Sequence, residues 1–67
     1  MKLQDLNFGD MFLLKNELKA IYLWSKNKTT HTFMIENDKT PHHYDENGIW
    51  YGQTNQENPL DIKCKIR

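Results

Sequence analysis

Cysteine is almost absent: Cys64 is the only one in the 67 residues. No intramolecular disulfide can form, so the fold does not depend on an oxidising compartment. No apolar run approaches the roughly 20 residues needed to cross a bilayer. Residues 1–8, MKLQDLNF, carry an acid and two amides where a signal peptide has its apolar stretch. The expectation is a cytoplasmic chain with no membrane association. Net charge is also lacking, because nine basic residues balance nine acidic ones. A dedicated nucleic-acid binder carries a basic surplus, since phosphate neutralisation supplies most of its non-specific affinity. Neutrality argues against that role and leaves room only for a local patch. Apolar residues reach 37%, below the usual share.

Aromatics are present at 12%. A few large rings can supply most of the buried area of a small β protein. The length suits one domain, residues 1–67. Such a domain buries only roughly 60% of the surface its unfolded chain exposes, so a partner or a second copy could add stability.

Turn signals recur at short intervals and mark out strands. Gly9-Asp10 leads into a strand at 11–15, MFLLK, which ends at Asn16-Glu17. The second strand is 19–25, KAIYLWS, with Ala20, Tyr22 and Trp24 on one face and Ile21 and Leu23 on the other. After the turn 26–29, KNKT, comes THTFMIE at 30–36, where His31, Phe33 and Ile35 share a face. A further turn, 37–41, ends at Pro41, which belongs at a strand start or edge. Asn47-Gly48 is a strong hairpin signal, because both residues tolerate positive φ. It pairs 42–46 with 49–53 and sends Ile49 and Tyr51 one way and Trp50 the other. A polar loop, 52–59, leads to the last strand, 60–67, LDIKCKIR. Its alternation places Leu60, Ile62, Cys64 and Ile66 inside and Asp61, Lys63, Lys65 and Arg67 outside. Short helices at 2–7 or 14–20 are the alternative, and neither is long enough to be stable alone. The predicted fold class is all-β: a small barrel of five or six short antiparallel strands, with room for one helical turn at the N-terminus. The last strand returns to pair with the first.

LNFGDMFLL, the two-faced strands, the Asn-Gly hairpin and the terminal DIKCKI strand together resemble a group of small SH3-like β-barrel proteins, many of them encoded by bacteriophages or bacteria. Gly9-Asp10 before the first strand is similar to the lead-in of KOW-type barrels. The resemblance covers most of the chain as a pattern. It implies an SH3-like barrel and a non-enzymatic binding protein, and it transfers no functional residue.

Four kinds of site are open to these residues. A metal site would draw on His31, His42, His43 and Cys64, but zinc needs about four converging ligands. Adjacent strand histidines point to opposite faces, so no metal is expected. Acid–base catalysis by His42 or His43 with Asp45 or Glu46 would need a pocket, and a barrel this small is filled by its own side chains. No catalytic residue and no cofactor are expected. Cys64 reads as a small core residue. Nucleic-acid binding could use Lys26 and Lys28, or the stripe Lys63, Lys65 and Arg67, beside stacking rings. Protein binding could use Trp24, Tyr44, Trp50 and Tyr51, since such rings exceed what the core can hide and are enriched at interface hot spots. The leading expectation is a non-catalytic module working through a protein–protein interface, with a host factor or a second copy as partner. A phage-encoded modulator or inhibitor of a host protein would fit, and a KOW-like nucleic-acid-binding barrel is the alternative. Under either, Lys63, Lys65 and Arg67 would steer an acidic partner or contact phosphate. HHYDENGIWYG, residues 42–52, is then a hairpin first, with its histidines as bystanders.

Overall fold

The computed structural model describes residues 2–51 and 59–67. Five antiparallel strands form one curled sheet: β1 (Met11–Leu14), β2 (Lys19–Asn27), β3 (Thr30–Ile35), β4 (His42–Tyr44) and β5 (Ile62–Lys65). Their order is β4-β3-β2-β1-β5, so the last strand does lie beside the first. The described residues hold no helix. The helical alternatives fail for want of length: residues 15–18 are the tight turn between β1 and β2. Residues 2–10 run as a strap that inserts Leu3 into the core and donates the Leu3 N–H to the Glu46 carbonyl at 2.6 Å.

Two hairpin turns share one construction. In the first, the Glu17 N–H donates to the Leu14 carbonyl at 3.0 Å and the Leu14 N–H donates to Leu18 at 2.8 Å, with Glu17 at φ 72°. In the second, the Gly48 N–H donates to Asp45 at 3.1 Å and the Asp45 N–H donates to Ile49 at 2.9 Å, with Gly48 at φ 79°. This corrects the expected two-residue Asn47-Gly48 loop. Only Gly48 takes positive φ, and Tyr44 pairs with Trp50, so the loop runs from Asp45 to Ile49. The Asp45 carboxylate explains the longer loop, because its Oδ1 accepts from the N–H of both Asn47 (2.8 Å) and Ile49 (2.9 Å). The hairpin's second arm is reduced to a single bridge at Trp50, and its last two expected residues, 52 and 53, lie outside the described residues.

Register shifts decide which face several side chains take. Tyr22 pairs with Phe33 but Trp24 pairs with Thr32, which leaves Leu23 as an extra residue in β2. Leu13 pairs with Cys64 but Leu14 pairs with Ile62, which leaves Lys63 extra in β5. Each extra residue breaks the two-residue alternation. Trp24 therefore leaves the face of Ala20 and Tyr22. Cys64 and Ile66 become exposed, which corrects their expected burial.

The core consists of Leu3, Phe12, Leu14, Ala20, Tyr22, Phe33, Ile35, Tyr44 and Ile62. Phe33 is its hub. Its ring meets Phe12 at 5.3 Å, Tyr22 at 5.5 Å and Tyr44 at 5.2 Å between centroids, all edge to face. That arrangement sets the positive edge of one ring on the negative face of another. The open side between β4 and β5 is closed by polar contacts. The Ile62 N–H donates to Gly48 at 2.9 Å, and the Trp50 N–H donates to Asp61 Oδ1 at 2.9 Å. The Tyr44 hydroxyl donates to the Leu60 carbonyl at 2.6 Å. A Cβ on Gly48 would stand 3.2 Å from Ile62 Cβ, so this closure needs glycine for space as well as for φ.

Candidate functional site

The sheet has a second, outward face that is partly exposed. With Phe12, Leu14, Ala20, Tyr22, Phe33 and Ile35 turned inward, strand alternation sends Met11, Leu13, Ile21 and Met34 outward. Met11, Ile21 and Met34 are direct neighbours across β1, β2 and β3. The Leu23 bulge adds Trp24 to this outer face, in a row with Thr32 and His43. Trp24 is 53% exposed and Ile21 39%. Thr32 is fully buried in that row, with its Oγ1 2.9 Å from His43 Nδ1. The outer face thus carries a firm apolar strip along the middle of the sheet.

The four rings expected as contacts divide. Trp24 stands on the outer face. Tyr51 is 41% exposed, and its hydroxyl donates to the Thr29 carbonyl at 2.6 Å, which pins it over the β2–β3 turn. Tyr44 is fully buried in the core, where a surface partner cannot reach it. Burial, and then the charge of Asp61, pushes its phenol far above the ordinary range. Trp50 is half-buried against the core, and its indole N–H donates to His42 Nδ1 at 3.1 Å. The bridge to Tyr44 puts it on the inward side of the hairpin, opposite to what a two-residue loop implies.

The basic stripe also divides. Lys63 lies 3.5 Å from Glu17 Oε1 and Lys65 lies 3.3 Å from Asp10 Oδ2. Arg67 is exposed at the chain end. The Lys63 bulge stops the three from lining up by simple alternation. The Asn7 N–H bonded to Asp10 holds that carboxyl below the usual carboxylate range, and Lys65 adds to the effect.

The three histidines have separate local roles. His42 sits between two partners, with Nε2 2.7 Å from Asp38 Oδ2 and Nδ1 accepting from Trp50. An indole can only donate, so His42 Nδ1 is the bare nitrogen and Nε2–H faces Asp38. His43 holds Thr32 on the outer face. No group of three or more His, Cys, Asp or Glu side chains among the described residues could hold a metal ion.

His31 belongs to a cleft of about 400 Å³ at the end of the barrel, lined by Gln4, Asp5, Leu6, Tyr22, Ser25, Asn27, Lys28 and His31. Ser25 pairs with His31 across β2 and β3. Its Oγ lies 2.6 Å from His31 Nδ1 and is also hydrogen-bonded to the Tyr22 hydroxyl. His31 Nε2 is buried with no hydrogen-bond partner among the described residues. Burial lowers the His31 pKa, opposed by the Lys28 carbonyl beside the ring and by the charges of Asp45 and Glu46. Asp5 lines the cleft in a left-handed backbone, φ 55°, uncommon for a residue with a Cβ. Sequence patterning missed Ser25, since only the register shift at Leu23 brings it opposite His31.

No protein-family model, curated protein or solved structure matches the chain. Among the described residues no helix is long and apolar enough to cross a membrane.

Proposed function

We propose that the protein is a binding module that engages a protein partner through the outer face of its sheet. The observation that carries this reading is the apolar strip of Met11, Ile21, Trp24 and Met34, in which Ile21 and Trp24 are exposed, Trp24 at 53%, and the two methionines are half-buried. A Trp on a rigid strand offers large contact area at low entropic cost. A second copy of the chain is the simplest partner, because one patch is then buried twice and a neutral chain does not repel itself. The pattern-level resemblance to SH3-like barrels of bacteriophages and bacteria supports a narrower version. In it the chain is phage-encoded and modulates or inhibits a host protein in the host cytoplasm.

The second reading is a KOW-like nucleic-acid-binding barrel. In its favour, Lys26 and Lys28 stand beside Trp24 on β2 and its turn, with no ion pair among the described residues. Against it, two of the three basic residues of the C-terminal stripe, Lys63 and Lys65, are engaged by carboxylates.

One experiment separates the two. Tagged wild-type and Trp24→Ser proteins are used to capture partners from lysate with and without nuclease, and sedimentation gives the oligomeric state of each. A stoichiometric protein, or a dimer, that survives nuclease and is lost in Trp24→Ser supports the protein-binding reading. Capture that vanishes with nuclease, and falls steeply with salt, makes the nucleic-acid reading the correct one. Equal capture by both proteins removes the outer face from the account.

A further inference from the structure

We propose that Ser25 is a nucleophile, with His31 as its general base, in a cleft that accepts a small activated acyl ester. This chemistry lies beyond the binding reading and uses a different part of the molecule: Trp24 faces outward while the next residue, Ser25, faces the cleft.

The geometry points there in four steps. A serine hydroxyl is a weak nucleophile unless an adjacent base takes its proton, and His31 Nδ1 is 2.6 Å from Ser25 Oγ. Ser25 is an exposed residue lining the cleft while His31 is buried, so the base is shielded from water beside the hydroxyl. The charges of Asp45 and Glu46 favour the imidazolium that the reaction passes through. The proton chain requires the neutral ring to carry its proton on Nε2, which is buried with no hydrogen-bond partner among the described residues. Nδ1 is then the acceptor, Ser25 donates to it, and Tyr22 donates to Ser25. Finally, the cleft wall holds two primary amides, Gln4 and Asn27. The Asn27 Oδ1 is already taken by the N–H and hydroxyl of Thr29, each at 2.9 Å, which leaves its NH2 to meet an oxyanion.

The reaction balances as an acyl transfer. Ser25 Oγ attacks the ester carbonyl carbon as its proton passes to His31 Nδ1. The bond to the leaving alcohol then breaks, and that alcohol takes the proton from Nδ1. The acyl group stays on Ser25 Oγ as an ester. Water, deprotonated by the same nitrogen, releases the carboxylic acid and restores the serine. While His31 carries the proton, the carboxylates of Asp45 and Glu46 stabilise the imidazolium. The burial that lowers the His31 pKa keeps the ring neutral and able to accept a proton at rest. The cleft, about 400 Å³, is sized for a small acyl group.

The test treats the purified chain with p-nitrophenyl acetate and, separately, with a fluorophosphonate probe, and maps adducts by mass spectrometry. A single adduct on Ser25, with p-nitrophenolate release lost in Ser25→Ala, is the expected result. General-base assistance is worth about 10²-fold or more. A folded His31→Gln protein should therefore acylate slower by about that factor. Should His31→Gln fail to fold, the comparison is wild type against Ser25→Ala and free N-acetylserine amide under the same conditions. Reaction of the wild type no faster than these two references overturns the proposal. So does an adduct on Tyr22 or a lysine in place of Ser25, or an unchanged rate in folded His31→Gln.

Discussion

Phe33 touches three other rings, and removing it would leave a void that no neighbour can fill. Phe33→Ala is expected to cost about 3–5 kcal/mol, most of what a domain this small has, and to leave the chain unfolded or nearly so in a denaturant titration. Glu17 presents the opposite case. It holds a left-handed backbone at φ 72°, the position that Gly48 fills in the second hairpin. Glu17→Gly should raise stability by about 0.5–1 kcal/mol, since the relief of strain exceeds the added entropy of the unfolded chain. A midpoint that drops instead would mean that the turn tolerates Glu17 without strain. His31 gives stability a dependence on pH. Its folded pKa lies below the ordinary 6.5, so the unfolded chain binds the proton more readily. The contribution is therefore full above about pH 6.5 and is lost as pH falls through the lower, folded value. Thermal midpoints measured down a pH series from neutral should decline through that window. In a folded His31→Gln protein the decline should be shallower.

At the scale of the element, the bulges matter more than the strands that carry them. Five strands with the expected pairing of the first and last were legible in the sequence, because Val-free but aromatic and Ile-rich segments between turn signals leave few other choices. That Ala20 shares a face with Tyr22, that Phe33 shares one with Ile35, and that Ile62 points inward were legible from alternation too. The exposure of Cys64 and Ile66 was not, because one extra residue, Lys63, breaks the alternation and takes both off the core face. An exposed thiol follows from that bulge. Native protein is expected to react with Ellman's reagent at a rate close to that of a small thiol, with no denaturant present. A slow reaction that speeds up only on unfolding would put Cys64 back in the core. The 45–49 loop has the same lesson. Asn47-Gly48 marked the right place, but the Asp45 carboxylate gathered two backbone N–H groups and lengthened the turn, which moved Trp50 to the inward side.

For the whole molecule, the question is which rings hold the barrel and which remain available to a partner. Tyr44 and Trp50 serve the closure between β4 and β5, whereas Trp24 rests on the outer face. Trp50→Ala should destabilise by about 2 kcal/mol, less than full burial would cost, because the ring is only half-buried. Trp24→Ser should stay within about 0.5 kcal/mol of wild type. Equal losses in the two variants, read by chemical denaturation, would make both rings structural and leave the outer face without an anchor.

The sequence by itself determined an all-β chain without an intramolecular disulfide, the places of its turns and several of the sets of residues that share a strand face. These follow from local rules: β propensity, a period of two, and residues that accept turn geometry. Only the tertiary structure decided which face Trp24, Trp50 and Cys64 take, how the open side of the sheet is closed, and that Ser25 meets His31. The physical reason is common to all of these. A side chain's face depends on register with a neighbouring strand, and register is a property of two segments at once. One inserted residue costs little locally and reverses everything beyond it.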